Sequence, residues 1–299
     1  MKNNYRKIVI FSLLIINCIG LFEVCSAEIS NNLTLINRES TDRLEIIKKK
    51  GVLTVLMCDI PPVSFIDTNT NQVTGIDIDI LNEFAKELGV KVETKVIIPF
   101  PELFEKLNTD DSIDVAASGI VITDKRKELV AFTQPLYKDS EAIIVPKVSR
   151  INFKEDLKTA VVGVQRGSVY ADLAEKWKNE GKVKDVKIFE SIPLVLSSII
   201  EGKVDAGLMD LVIAEYLLFK ENIYLKALKP YTPEEPGVIG IAVRKSDVTL
   251  LNAMNKKIDD MKEDKTIKKI LNRYGLNDSF LIDSIQRYSQ LKFDEGIRK

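Results

Sequence analysis

Two hydrophobic patterns alternate along most of the chain. Residues 52–56 are apolar except for Thr54, which predicts a buried strand. Between residues 77 and 88 the apolar side chains return every three or four positions, which predicts an amphipathic helix that ends at Gly89. The same criteria predict further strands at 90–96, 113–117, 130–132, 160–164, 183–189, 204–208 and 238–244, and further helices at 99–107, 123–127, 171–177, 193–201, 210–219, 250–261 and 266–274.

Strands that alternate with helices indicate an α/β fold with parallel sheets. One local pattern occurs twice: a helix leads through a polar turn into residues 113–116 in the first half, and another leads into residues 204–207 in the second. Gly119 and Asp210 each lie five residues after the aspartate of their own copy. Both are therefore expected at the carboxyl ends of strands, which is the edge where open α/β sheets bind ligands.

The N-terminus has the pattern of a secretory signal peptide. Lysines and an arginine precede an apolar run over residues 8–22, and small residues precede Glu28, so we expect cleavage after Ala27. The run is short for an uncleaved anchor, which is the alternative. Asn17 and Val24 are poorly suited to precede a lipidated cysteine, so lipoprotein anchoring is disfavoured. These features predict a periplasmic or extracytoplasmic protein.

Composition excludes several kinds of chemistry. The 299 residues include 43 basic and 44 acidic ones, a net charge of −1, which lacks the basic footprint of a nucleic-acid binder. The chain contains no histidine, so Ser-His and Cys-His nucleophile pairs and histidine-based zinc sites are excluded. After cleavage only Cys58 remains, and we expect it to be a buried free thiol. We expect neither a cofactor nor a bound metal.

Two charged residues stand where a predicted strand gives way to a helix, one in each half. Arg126 belongs to the short helix that Thr123 can cap, and Asp210 opens a helix in the second half. An arginine fork suits a carboxylate, and an aspartate suits an ammonium group. Together they predict a receptor for a zwitterion, of which an amino acid is the simplest. The alternatives are that Arg126 is a surface residue and that Asp210 is only a helix cap.

Several short motifs, in this order and spacing, resemble the periplasmic solute-binding proteins of ABC importers for polar amino acids, bacterial solute-binding protein family 3. The likeness runs from about residue 43 to 277, on GVLTV at 51–55, PP at 61–62, GIDIDI at 75–80, ID at 113–114, SG at 118–119 with Thr123 and Arg126, FTQPLY at 132–137, GVQRGS at 163–168 and GKVDA at 202–206.

The resemblance implies the two-lobed type II fold, in which two mostly parallel sheets flanked by helices are joined by a two-strand hinge. The corresponding segments are a signal peptide (1–27), a leader (28–42), lobe 1 (43–138 with 238–277), lobe 2 (139–237) and a C-terminal tail (278–299). The tail extends past the usual end of such domains, and we expect it to be a loosely attached helix or disordered.

The resemblance also implies roles for individual residues. Arg126 is expected to grip the ligand carboxylate, assisted by backbone N–H groups near Val121 and Ser168. Asp210 is expected to bind the ammonium group, with help from Ser118 and Gly119. The full expected ligand-binding set is Arg126, Asp210, Ser118, Gly119, Val121, Ser168, Val169, Ile60 and Phe100.

Three positions depart from the family pattern. Relatives commonly carry Ser or Thr where this chain has Val121 and Val169, and an aromatic residue near Ile60. The missing hydroxyls weaken the carboxylate cradle, and the missing aromatic face removes a stacking surface for a cationic side chain. We therefore expect an aliphatic or small ligand side chain rather than arginine or histidine, although a carboxylate that is not an amino acid stays open.

The function implied by the resemblance is capture of an amino acid between closing lobes and delivery to the membrane permease of an ABC importer, by a monomer without catalytic activity. One alternative is an enzyme on the same scaffold, resembling cyclohexadienyl or arogenate dehydratases, for which Glu190 or Glu234 could supply the general acid. Another is a sensory module that acts through a membrane partner.

Overall fold

The described chain contains nine α-helices, two short 3-10 helices (Lys154–Thr159 and Asp278–Phe280) and fourteen strands, counted within residues 42–96, 99–220 and 224–282 of a computed structural model. The helices are α1 (Arg43–Lys50), α2 (Ile76–Leu88), α3 (Glu102–Thr109), α4 (Asp124–Lys127), α5 (Val169–Asn179), α6 (Ile192–Ile200), α7 (Leu211–Lys220), α8 (Val248–Glu263) and α9 (Thr266–Arg273). The strands are β1 (Val52–Met57), β2 (Phe65–Asp67), β3 (Gln72–Thr74), β4 (Lys91–Val96), β5 (Val115–Ala116), β6 (Ala131–Phe132), β7 (Tyr137–Asp139), β8 (Glu141–Pro146), β9 (Val161–Gln165), β10 (Asp185–Phe189), β11 (Ala206–Asp210), β12 (Leu225–Ala227), β13 (Gly237–Ile239) and β14 (Ala242–Val243).

The first sheet has the strand order β4-β1-β5-β14-β6. Strand β1 lies parallel to β4 and β5, whereas β14 runs antiparallel to β5 and β6. Most side chains of β1 are buried, which explains why its sequence is largely apolar, with Thr54 as the exception, rather than alternating. We call this sheet, with the helices that pack on it, lobe 1.

The second sheet repeats the arrangement with the order β10-β9-β11-β8-β12. Strands β10, β9 and β11 are parallel, and β8 and β12 join as antiparallel neighbours at one side. Helices α5, α6 and α7 connect or follow the parallel strands. We call this unit lobe 2.

Strands β7 and β13 form a two-stranded antiparallel ribbon that carries the chain between the lobes, with Tyr137 opposite Ile239 and Asp139 opposite Gly237. The predicted two-lobed type II architecture with its two-strand hinge is thus confirmed. The predicted single strand over residues 238–244 is instead two strands. They are divided at Gly240, where a Cβ atom would lie 2.7 Å from the Ile122 side chain and where the chain turns from the ribbon into the first sheet.

The repeated sequence pattern has the same structural role in both lobes. Asp114 Oδ2 accepts a hydrogen bond from the backbone N–H of Thr54 at 2.7 Å, and Asp205 Oδ2 accepts one from the N–H of Val161 at 2.8 Å. Each carboxylate therefore ties its own segment to the start of the neighbouring parallel strand. This alignment brings the carboxyl ends of the strands of each lobe to one edge.

Cys58 follows β1 as a buried free thiol, as its sequence context predicts, and burial raises its pKa to about 12. The first residues of the predicted tail are packed rather than loose: Phe280 and Ile282 are buried, and Lys268 pairs with Asp278. The signal peptide, nearly all of the leader and residues 283–299 lie outside the described residues. No helix in the described part of the chain is long and apolar enough to cross a membrane.

Candidate functional site

Arg126 of lobe 1 and Asp210 of lobe 2 line one cavity between the lobes. The cavity volume is about 20 Å³, room for little more than a water molecule, so an amino acid requires the lobes to separate before it can enter. All nine residues of the expected set line this cavity: Ile60, Phe100, Ser118, Gly119, Val121, Arg126, Ser168, Val169 and Asp210.

Arg126 is held by contacts from both lobes. The hydroxyl of Thr123 caps the short helix α4 by accepting the backbone N–H of Arg126. This hydrogen bond fixes the backbone from which the Arg126 side chain extends. Its Nη1 donates to the carbonyl of Val121 at 2.7 Å, and its Nη2 donates across the cleft to the carbonyl of Gly167 at 3.1 Å.

The guanidinium lies against two aromatic rings, 5.3 Å from the ring centroid of Phe100 and 5.7 Å from that of Phe104. Phe100 is therefore both a core residue and a wall of the cavity. The side chain of Arg126 is only 7% exposed, and burial lowers its pKa to about 10, so it remains a cation at neutral pH. A buried cation on this wall favours an anionic group of the ligand.

Asp210 is the last residue of β11 rather than the first residue of the following helix. The helix predicted at 210–219 therefore begins one residue later, at Leu211, and Asp210 stands directly before it. Asp139 Oδ1 accepts the N–H of Val212 at 3.2 Å and that of Ser140 at 2.8 Å. Asp139 thus satisfies the start of α7 and leaves the Asp210 carboxyl group available to the cavity.

The carboxyl groups of Asp139 and Asp210 share a hydrogen bond. Burial raises the pKa of both: that of Asp139 well above its usual range, reinforced by the negative charge of Asp210, and that of Asp210 to about 6. The hydrogen bond between the two carboxyl groups needs one proton, so the pair carries a single negative charge at neutral pH.

Beneath the cavity, Asp77 fixes the backbone of lobe 1. Its Oδ2 accepts the N–H of Gly119 at 2.8 Å and its Oδ1 accepts the hydroxyl of Tyr137 at 2.9 Å; burial nevertheless raises its pKa to about 6. The hydroxyl of Ser118 accepts the N–H of Cys58 at 3.1 Å. The hydroxyl of Ser118 and the backbone amide of Gly119 are therefore engaged within lobe 1. The backbone carbonyls of these two residues are the groups that they can offer a ligand.

The N-terminus of helix α5 faces the cavity from lobe 2. Ser168 is its N-cap, accepting the N–H of Ala171 at 3.1 Å and donating to the carbonyl of Gln165 at 2.9 Å. The backbone N–H groups of the first turn, at Val169 and Tyr170, have no acceptor within the helix and suit an anion.

Four further residues line the cavity without having been expected from the sequence: Val63, Gln165, Tyr170 and Ile213. Gln165 and Tyr170 flank the segment 166–169, which already contains Ser168 and Val169, so their proximity to these residues was the available signal. Within the described ranges, no cluster of acidic or cysteine side chains suits a metal ion.

Contacts beyond the cavity hold the two lobes together. Gly167 of lobe 2 has φ +73°, and an added Cβ atom would collide with the Pro101 ring of lobe 1. Farther along the cleft, Tyr216 of α7 packs 6.2 Å from the Phe65 ring and 6.4 Å from the Tyr274 ring, both in lobe 1. The described conformation is therefore the closed one.

The sequence profile of the bacterial extracellular solute-binding proteins, family 3, matches residues 53–277. The chain belongs to this family. Its curated relatives include the lysine/arginine/ornithine-binding periplasmic protein of Escherichia coli (33% identical over 211 residues; 67% of this chain and 78% of the relative). They also include the L-cystine-binding protein TcyA of Bacillus subtilis (30% over 273 residues; 90% of this chain and 97% of the relative).

Solved structures of the same kind are similar over most of the chain. An ancestral arginine-binding protein bound to arginine is 36% identical, with a TM-score of 0.66 over 75% of this chain and 98% of that one. The ancestral amino acid-binding protein AncCDT-1, described as a precursor of cyclohexadienyl dehydratase, is 31% identical, with a TM-score of 0.67 over 78% of this chain and 99% of that one. The family member described here thus has amino acid-binding proteins among its structural relatives.

Proposed function

We propose that this solute-binding protein captures an α-amino acid between its lobes outside the cytoplasm and delivers it to the permease of an ABC importer. The observation that carries the proposal is the placement of Arg126 and Asp210 on opposite lobes at a single cavity. A zwitterion that contacts both charges favours the closed arrangement, because its two ends bind different lobes. Membership of the family and the amino acid-binding relatives support the same function.

The carboxylate of the ligand is assigned to the end of the cavity formed by Arg126 and the start of α5. The guanidinium has N–H groups besides those that bind Val121 and Gly167, and a planar fork suits two carboxylate oxygens. The free amides of the first turn of α5 add positively polarised donors from the other lobe. The binding energy of the carboxylate therefore draws the lobes together.

The ammonium group is assigned to Asp210. The Asp139–Asp210 pair carries one negative charge and reaches the cavity through Asp210, and Ser118 and Gly119 line the same cavity from lobe 1. This arrangement distinguishes an amino acid from a simple carboxylic acid, which would leave a buried carboxylate without a cationic partner.

The space left for the ligand side chain is bordered by aliphatic residues, including Ile60, Val63, Val169 and Ile213. The Phe100 ring is already covered by the guanidinium of Arg126, so it is not a free stacking surface. We therefore assign an uncharged side chain, small or aliphatic, in contrast to the lysine, arginine and ornithine that the E. coli relative is named for.

Binding without catalysis is part of the proposal. The two candidate general acids lie away from the cavity: Glu190 pairs with Arg166 at 2.7 Å on the surface, and Glu234 pairs with Lys154 and accepts the indole N–H of Trp177. Incubation of the purified protein with prephenate and with arogenate tests this directly, since release of phenylpyruvate or phenylalanine would establish the dehydratase alternative.

A thermal-shift screen against the twenty amino acids and small organic acids identifies the ligand, because binding to the folded state raises the unfolding temperature. Titration calorimetry then compares Arg126→Ala and Arg126→Lys with the wild type. Loss of two charge-assisted hydrogen bonds costs about 3–6 kcal/mol, so we expect affinity to fall roughly 10²- to 10⁴-fold for Ala. Arg126→Lys keeps the positive charge but not the planar guanidinium group, so its loss of affinity should be smaller.

Arg166→Ala is the matched control. Arg166 is close in sequence to Gly167 but half-exposed and paired with Glu190, so its removal should leave affinity unchanged. Full affinity in Arg126→Ala would remove the basis of the proposed function.

A further inference from the structure

Tyr170 lines the cavity, and its hydroxyl is buried without a partner among the described residues. The residue lies in the first turn of α5, and its side chain is 1% exposed. Across residues 42–96, 99–220 and 224–282, no group hydrogen-bonds to its Oη atom. Buried polar groups in native proteins are almost always satisfied, so a lone hydroxyl at a ligand cavity calls for a partner that arrives with the ligand.

The groups around this hydroxyl favour a role at the ammonium end of the cavity. Burial raises the pKa of Tyr170 well above its usual range, and the carboxyl groups of Asp139, Asp210 and Glu141 add to this rise in that order. Arg126 acts in the opposite direction and more weakly. The aspartate pair therefore affects the pKa of this phenol more than the guanidinium does.

We propose that Tyr170 Oη accepts a hydrogen bond from the α-ammonium group of the ligand beside Asp210, so that the site selects primary α-amino acids. This inference rests on the proposed function. An ammonium group has three N–H donors. Asp210 and Tyr170 provide two acceptors from lobe 2, and a carbonyl of Ser118 or Gly119 provides the third from lobe 1.

Tyr170 is the cavity hydroxyl that remains available for this role. Ser118 accepts the N–H of Cys58, and Ser168 is engaged as the cap of α5. Val121 has no hydroxyl to offer. The phenol thus supplies an oxygen in a site whose other hydroxyls are used to hold the backbone.

The proposal separates ligands by the number of N–H groups on the amine. A primary ammonium satisfies all three acceptors, whereas an N-methylated amino acid has one N–H fewer and leaves one acceptor buried without a donor. A deaminated acid leaves all of them unpaired. Affinity should therefore fall from the primary to the N-methyl to the deaminated compound.

Tyr170→Phe tests the role because it removes one oxygen and keeps the ring. The probe is whichever of L-alanine, L-leucine, L-glutamine, L-histidine and L-arginine binds the wild type most tightly, together with its N-methyl derivative. By calorimetry we expect affinity for the primary amine to fall about 10- to 100-fold, as for a hydrogen bond to a charged group. The wild-type preference for the primary over the N-methyl compound should shrink by a similar factor. The unfolding temperature without ligand should stay unchanged or rise.

Tyr231→Phe is the control, because its hydroxyl donates to Glu141 Oε1 at 2.5 Å and does not line the cavity. It should lower the unfolding temperature without changing affinity. Unchanged affinity in Tyr170→Phe overturns the proposal. A loss of stability without ligand as large as that of Tyr231→Phe also overturns it, because the Tyr170 hydroxyl would then make a hydrogen bond within the protein itself. Retained binding by Arg126→Ala would instead count against the proposed function.

Discussion

Replacing Asp210 with asparagine should stabilise the ligand-free protein and weaken its binding of amino acids. In the folded protein burial raises the pKa of Asp210 from 3.8 to about 6. A carboxyl group whose pKa is higher in the folded state destabilises that state at any pH above the folded value, because the charged form is preferred after unfolding. About two pKa units correspond to about 3 kcal/mol at pH 7, an upper value for what the uncharged amide would recover.

Asparagine keeps the shape of the side chain and an oxygen that can accept the proton of Asp139, so the Asp139 hydrogen bond to residue 210 survives. The gain should appear as a rise of roughly 2–10 °C in the unfolding temperature at pH 7. It should disappear as the pH falls from about 6 towards 4, because Asp210 of the wild type then becomes protonated and equally neutral.

Ligand binding should respond in the opposite direction. Truncating one partner of a buried charge pair costs about 2–5 kcal/mol, so affinity for an amino acid should fall roughly 30- to 5000-fold. Affinity for the deaminated carboxylate should change much less, since it makes no ammonium contact. Differential scanning calorimetry between pH 4 and 8 and titration calorimetry with both compounds measure these effects. A lower unfolding temperature at pH 7, or equal losses for both compounds, would refute the reasoning.

Two other substitutions test how the site is assembled. Gly167→Ala places a Cβ atom against Pro101 of the other lobe, so it should reduce ligand affinity at least 10-fold and give a more open particle in small-angle scattering. Gly181→Ala is the control for backbone strain, because Gly181 has a similar φ of +69° and nothing within 4 Å of an added Cβ atom, and this variant should bind normally. Asp139→Asn retains a hydrogen-bond donor towards Asp210, so its affinity for the ligand should stay within about 3-fold of the wild type in calorimetric titrations. Asp139→Leu has no such donor and should lose more than 10-fold in affinity. Equal affinities for these two variants would exclude a role of Asp139 in positioning Asp210.

The sequence alone determined the local elements and the general kind of site. The largely apolar segment 52–56 suited a strand inside a covered sheet. The apolar spacing from 77 to 88 suited a helix because its period matches 3.6 residues. Arg126 and Asp210 could be singled out because their chemistry matches the two ends of a zwitterion and because each follows a strand.

Tertiary structure decided which groups are available to the ligand. Asp139 accepts the N–H of Val212 at the start of α7 from another segment, while Asp210 ends β11 and lines the cavity. The hydroxyls of Ser118 and Ser168 are engaged by backbone groups, while that of Tyr170 is not. Such availability depends on contacts between residues far apart in the chain, which local periodicity and composition do not encode.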